Sequence, residues 1–196
     1  MSIQKARGSD TTSAEVIRGT GSDVSAVAMG KFFVECFDKD GNLKWTAENH
    51  NLVVNVGLQY MAGAALTGTT PITSWYIGLY GSGADNTPAA TNTLASHGAA
   101  GSGGWSEITP YTGNRPAATF AAATNANPSV VTNTASKATY AITSGSSVVV
   151  GGAFLCSVAS GTSGLLFSAA DFQAPGDRSV INGDTLTVTY TFSLQA

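Results

Sequence analysis

Charge is what this sequence has least of. Only 11% of its 196 residues are Asp, Glu, Lys or Arg, against about 25% in ordinary soluble domains. A surface built this way is hydrated through hydroxyls and backbone groups, and it lacks much of the repulsion that keeps copies apart. A basic excess is missing too. The net charge is −3 and the isoelectric point about 5.2, so there is no electrostatic footprint for nucleic acid. No long hydrophobic run exists either. The longest, Val148 to Cys156, is interrupted by Gly151 and Gly152 and falls far short of the roughly 20 residues of a membrane helix. The opening, Met1 to Asp10, lacks the apolar core of a signal peptide, so the expectation is synthesis in a cytosol with no membrane partner.

The residues that do chemistry are equally scarce. There are two histidines, His50 and His97, and neither has a Cys, His or carboxylate at ligand spacing. No G-x-S-x-G nucleophile elbow occurs. The glycine-rich GSGAD and GSGGW lack the Lys-Ser/Thr of a phosphate loop. Beyond residue 50 the acids are Asp85, Glu107, Asp171, Asp177 and Asp184, a poor supply for a sugar-cleaving groove. Asp38-x-Asp40-Gly41-Asn42 invites a calcium reading, but the EF-hand needs its glycine two positions later and a closing Glu. A hairpin turn explains the same residues. The expectation is a protein without catalytic, cofactor or metal residues. Cys36 and Cys156 could pair, but without a secretion signal they are expected as reduced, buried thiols.

What is present is apolar and β-patterned. Hydrophobic residues make up 43% of the chain, enough for the core of one domain. Thirteen of the charged side chains crowd into the first 50 positions. Residues 1–30 show no strand or helix period and read as an extended arm, either a disordered tail or a segment ordered by crossing onto a neighbour. Val16 and Ile17 are its candidate apolar anchors and Arg18 its charged one. From Lys31 to Ala196 the pattern is that of a β-sandwich domain. KFFVECFD and LKWTAE read as a hairpin around Gly41. Leu52, Val56, Tyr60 and Ala64 recur at helical spacing, predicting one short helix over 55–66 weakened by Gly57 and Gly63.

Further strands are expected at 74–80, 105–109, 117–121, 130–142, 147–156, 165–169 and 185–194. The last alternates most cleanly, with Leu186, Val188, Tyr190, Phe192 and Leu194 on one face and Thr or Ser on the other. The glycine-rich stretch 81–104 is expected as a long loop, and Trp105 directly after it is a candidate partner anchor. These elements predict a mainly β fold, an antiparallel β-sandwich of which the jelly roll is one form.

Several stretches together carry a resemblance. The DKDGNLKW hairpin, NLVVNVGLQYMAG, SWYIGLY, the SH…GWSE…Y…RPA segment, GGAFLCS and GDTLTVTYTFSL resemble small structural proteins of tailed bacteriophages, most of all capsid decoration (cement) proteins. The resemblance runs from about Lys31 to Leu194. It implies a non-enzymatic virion subunit on the capsid surface, made in the host cytoplasm, with the major capsid protein and copies of itself as partners. A tail, neck or host-adhesion protein of similar fold is the alternative it leaves open.

Overall fold

The computed structural model describes residues 27–82, 87–96, 106–172 and 176–196. They form two antiparallel sheets packed face to face with one short helix, a mainly β arrangement consistent with a β-sandwich.

The first sheet grows from two long strands, β1 (Val27–Phe37) and the final strand, β11 (Thr185–Gln195), paired over their whole length from Val27↔Gln195 to Phe37↔Thr185. β2 (Leu43–His50) completes the hairpin on the far side of β1. Asp38 makes that turn. Its Oδ1 accepts from the backbone N–H groups of Asp40 and Asn42, both at 2.9 Å, while Gly41 takes φ +83°. β1 begins at Val27, so residues 27–30 belong to the strand rather than to the arm expected over 1–30.

The other side of β11 is shared. The run 130–142, read as one strand, is two: β6 (Ser129–Thr132) pairs with Thr191–Leu194 and β7 (Ala138–Ala141) with Thr185–Val188. Asn133 fills the gap between them. Fully buried, it donates Nδ2–H to Val188 O (3.2 Å) and accepts from Tyr190 N–H at Oδ1 (2.7 Å). Its side-chain amide stands where a peptide group would have continued the ladder.

The second sheet centres on β8 (Val148–Cys156), which has β4 (Tyr76–Gly81) on one side and, in succession on the other, β9 (Leu166–Asp171) and β10 (Arg178–Val180). β3 (Leu52–Val53) and β5 (Glu107–Ile108) are two-residue edges. The expected strand at 117–121 reduces to a single bridge, Tyr76↔Ala117. There the segment after Pro116 follows β4 for two hydrogen bonds only, through Pro116 O and Ala118 N–H.

Between the sheets lie Phe32, Val34 and Cys36 of β1, Leu186, Val188 and Tyr190 of β11, Ile77 and Leu79 of β4, and Ala153 and Leu155 of β8. The second sheet is buried on its other face as well, where Tyr80, Phe154, Cys156 and Leu166 pack with Val54 and with Leu94 from the segment 87–96. Double burial is why β8 reads as a nearly unbroken apolar run instead of an alternation. On this outer face two cross-strand pairs, Gly78↔Phe154 and Tyr80↔Gly152, lay an aromatic ring directly over a glycine. A Cβ on Gly78 would come within 2.1 Å of the Phe154 ring, and one on Gly152 within 2.0 Å of Tyr80.

The helix, α1 (Asn55–Ala62), runs on into a π-helical turn (Gly63–Thr67) that ends at Gly68 with φ +72°. Val56 and Tyr60 face inward as expected, with Met61 beside Tyr60, but Leu52 lies in β3. Gly57 is the buried contact. A Cβ there would meet Phe167 O at 2.4 Å, so the glycine that costs helix propensity is what lets α1 lie against β9. Edge-on contacts Tyr60–Trp75, Trp75–Phe167 and Phe167–Phe192 tie the helix to both sheets.

Two substitutions test this packing. Replacing Asn133 by Leu strands Val188 O and Tyr190 N–H in the interior, each at about 1–3 kcal/mol. Urea denaturation of the variant is expected to show a loss of about 2–4 kcal/mol, and a loss below about 1 kcal/mol would mean the amide bridge is dispensable. Gly152→Val, which drives a side chain into Tyr80, is expected to cost at least as much as the usual 1–3 kcal/mol of overpacking, while Gly145→Ala, with open space around it, stays close to the parent.

Candidate interaction surfaces

The residues singled out for partner contact, Val16, Ile17, Arg18 and Trp105, all lie outside the described residues, as does His97. His50 is exposed at the end of β2, opposite Lys31.

The most elaborate polar constellation is internal. Arg115 is 4% exposed and spends every guanidinium N–H. Nε and Nη2 grip the Glu107 carboxylate at 2.7 and 2.6 Å, Nη2 also reaches Gly161 O, and Nη1 reaches Val158 O and the Cys156 thiol. The guanidinium carbon stands 5.3 Å from the Phe154 ring centroid. Burial pulls the Arg115 pKa down, but the Glu107 hydrogen bonds and nearby negative charge outweigh it, and the net shift is upward. With no donor left for a ligand, the group acts as a clamp that pins the 157–164 loop to β5 and β8.

Two shallow hollows open on the surface. One, of about 260 Å³, is lined by Asp38, Lys39, Asp40, Lys44, Ile181, Asn182 and Asp184. Its oxygens are already engaged. Asp38 caps the hairpin turn, and Asn42 holds its carboxyl below the usual range. Asp184 accepts from Lys44 Nζ at 2.6 Å and from Ile181 N–H at 2.9 Å. Among the described residues, no group of three or more His, Cys, Asp or Glu is arranged to hold a metal ion. The other hollow, about 290 Å³, lies beside Asn127 and the last residues of β11.

A regular surface of the described residues is the outer face of the first sheet. Register places Thr46, Thr139 and Thr187 in one row with Glu35, and Thr132 and Thr191 in another with Lys31. Thr132 and Thr191 hydroxyls meet at 3.2 Å. The charges on this face cancel in pairs: Lys31 with Glu48 at 3.0 Å, and Lys137 with Glu35 at 2.5 Å. Thr189, expected in solvent, is only 7% exposed. It pairs with Phe33, and the β7 register continued by one residue brings Lys137 beside it on the way to Glu35. The face is therefore broad, hydroxyl-lined and electrically quiet. Sequence alternation alone pointed to the threonines. The ion pairs that quiet the face join positions up to 102 apart and have no local signal.

Both cysteines are free and buried. Burial, then the Asp184 charge, pushes the Cys36 thiol up to about 11. No protein-family model, no curated protein and no solved structure matches the chain.

Two measurements follow from these sites. Native protein at pH 8 is expected to give no reaction with a thiol reagent, and to titrate both cysteines once unfolded. Fast native labelling at Cys36 would contradict the burial. The Lys137 hydrogen bond holds the Glu35 carboxyl below its usual value, so its contribution to stability is present above about pH 4.3, the ordinary Glu value, and is lost as pH falls below it. Glu35 is partly exposed, which limits the effect to under about 1 kcal/mol. Glu35→Gln is expected to flatten that part of the acid limb in pH-dependent melting, and an unchanged limb would argue against the pair.

Proposed function

We propose that the chain is a non-enzymatic structural subunit of a bacteriophage virion, binding the major capsid protein and neighbouring copies of itself to decorate and stabilise the capsid shell. The observation that carries this reading is the outer face of the first sheet. Its charges are paired off on the surface and its hydroxyls are spaced by the strand register. Such a face packs against another protein at little desolvation cost, because isolated charges are what make burial expensive. The charge-poor composition suits a subunit held at high density in a lattice. The buried polar groups of the second sheet serve the fold, with Arg115 saturated by its own chain. The phage resemblance of the hairpin, helix and final strand supports the same assignment.

The test is binding to particles stripped of their minor proteins, followed by sedimentation and by imaging of the decorated particle. Saturable binding over the capsid lattice is expected, weakened at least tenfold by Thr187→Asp with Thr191→Asp, whose melting temperature should stay within a few degrees of the parent. Binding confined to the tail or neck would favour the tail or adhesion reading, and no binding to any part of the particle would overturn both.

A further inference from the structure

Helix α1 and its π-helical turn leave one side in solvent, and that side is palindromic. Over 56–66 the exposed residues are Leu58, Gln59, Ala62, Ala65 and Leu66, while Val56, Tyr60, Met61 and Ala64 are half-buried on the other side. About Ala62 the exposed set maps onto itself, with Leu58 and Leu66 four positions away and Gln59 and Ala65 three. Leu58 is 44% exposed, and Leu66, at 85%, is the most exposed large apolar side chain among the described residues.

The π turn is what brings the two leucines into line. An α-helix advances about 100° per residue, so side chains eight positions apart diverge by about 80°. A π turn, closing i→i+5 hydrogen bonds, advances only about 80° per residue. The π stretch covers Gly63–Thr67, and the Gly68 N–H reaches back to Gly63 O. The steps from Ala62 to Leu66 thereby cancel the drift between Leu58 and Ala62, and Leu66 returns to the line of Leu58. Ala62, between them, is small enough to let another helix come close.

An occupant must match an apolar, palindromic strip, and a second copy of the chain does. In a two-fold contact the same surface serves both subunits, so that residue i touches j and j touches i. Any charge on such a face is drawn toward its own equivalent across the axis, and residues 51–82 carry none. With two strips antiparallel and Ala62 on the axis, Leu58 of each copy meets Leu66 of the other, and Gln59 meets Ala65.

We infer that two copies of the chain pack through this strip, helix against antiparallel helix about Ala62. The contact is small. The run from Asn55 to Thr67 is about 20 Å long and buries far less than the roughly 800 Å² a side of a standard interface. It is therefore weak between free molecules and effective where copies are already held side by side, as on a shell. This rests on the reading of neighbouring copies as partners and gives their contact its own surface.

Sedimentation velocity of the full-length protein over about 5 to 500 μM spans the affinities open to a contact of this size. The parent is expected to shift from monomer toward dimer as concentration rises. Leu58→Lys and Leu66→Glu are each expected to weaken association about tenfold or more, with melting temperatures close to the parent because both side chains stand in solvent. Combined in one chain, the two substitutions set an ammonium against a carboxylate twice across the axis, and association is expected to recover to within about threefold of the parent. A parent that stays monomeric, a dimer indifferent to Leu66→Glu, or a double variant that does not recover would overturn the inference. Decoration of particles by a monomeric parent would overturn it while leaving the capsid reading in place, and dimerisation without any particle binding would do the reverse.

Discussion

The fold depends on the satisfaction of a single strand from both sides. β11 crosses the middle of the first sheet, and its inward side chains Leu186, Val188 and Tyr190 are buried to 1% exposure or less. A buried strand cannot leave backbone groups unpaired. β1 meets this need along one edge without interruption, but the other edge is served by two short strands that leave a gap between Val188 and Tyr190. The Asn133 amide bridges that gap with one donor and one acceptor in the geometry of a peptide. A shorter or apolar residue there would leave two groups orphaned in the centre of the protein.

The second sheet is governed by space rather than by hydrogen bonding. Buried on both faces, it must admit Phe154 and Tyr80 on the side where its own cross-strand neighbours are glycines. Each ring lies flat over the partner strand's backbone, which lets the 87–96 and 157–164 segments close down as a third layer. The Arg115–Glu107 clamp fastens that layer. A buried ion pair adds little stability over an apolar pair of the same shape, but a saturated guanidinium fixes the position of every group it touches. The result is a body whose two outward surfaces differ: one made of clamped loops, the other an even sheet face.

Much of this was legible in the sequence where a pattern is local. The β1–β2 hairpin announced itself through Asp38 and Gly41, the final strand through strict alternation, and α1 through its apolar spacing. The missed features are non-local or too short to have a period. β3 and β10 are two or three residues long and exist because a neighbour pairs with them. Asn133 reads as one more residue of a single strand over 130–142 until β11, more than 50 positions later, is laid beside it. Gly57, Gly78 and Gly152 look like weaknesses in their elements, and each is a place where another part of the chain comes too close for a Cβ. Of the interaction residues proposed from sequence, Val16, Ile17 and Arg18 fall in a stretch without a period, and Trp105 opens the strand expected over 105–109.

The pairing of β1 with β11 also imposes an order in time. The β1–β2 hairpin can close as soon as residue 50 has been made, but the apolar face of β1 has no partner in its own sheet until Thr185–Gln195 emerges from the ribosome. Contacts of such long range are slow to form, because the entropy of closing the intervening chain must be met first. For most of its synthesis the chain therefore carries Phe32, Val34 and Cys36 uncovered on a strand with one open edge. That edge is a ready template for pairing with another nascent chain. In a chain with so few charges to keep copies apart, this interval before β11 arrives is when misassociation threatens most.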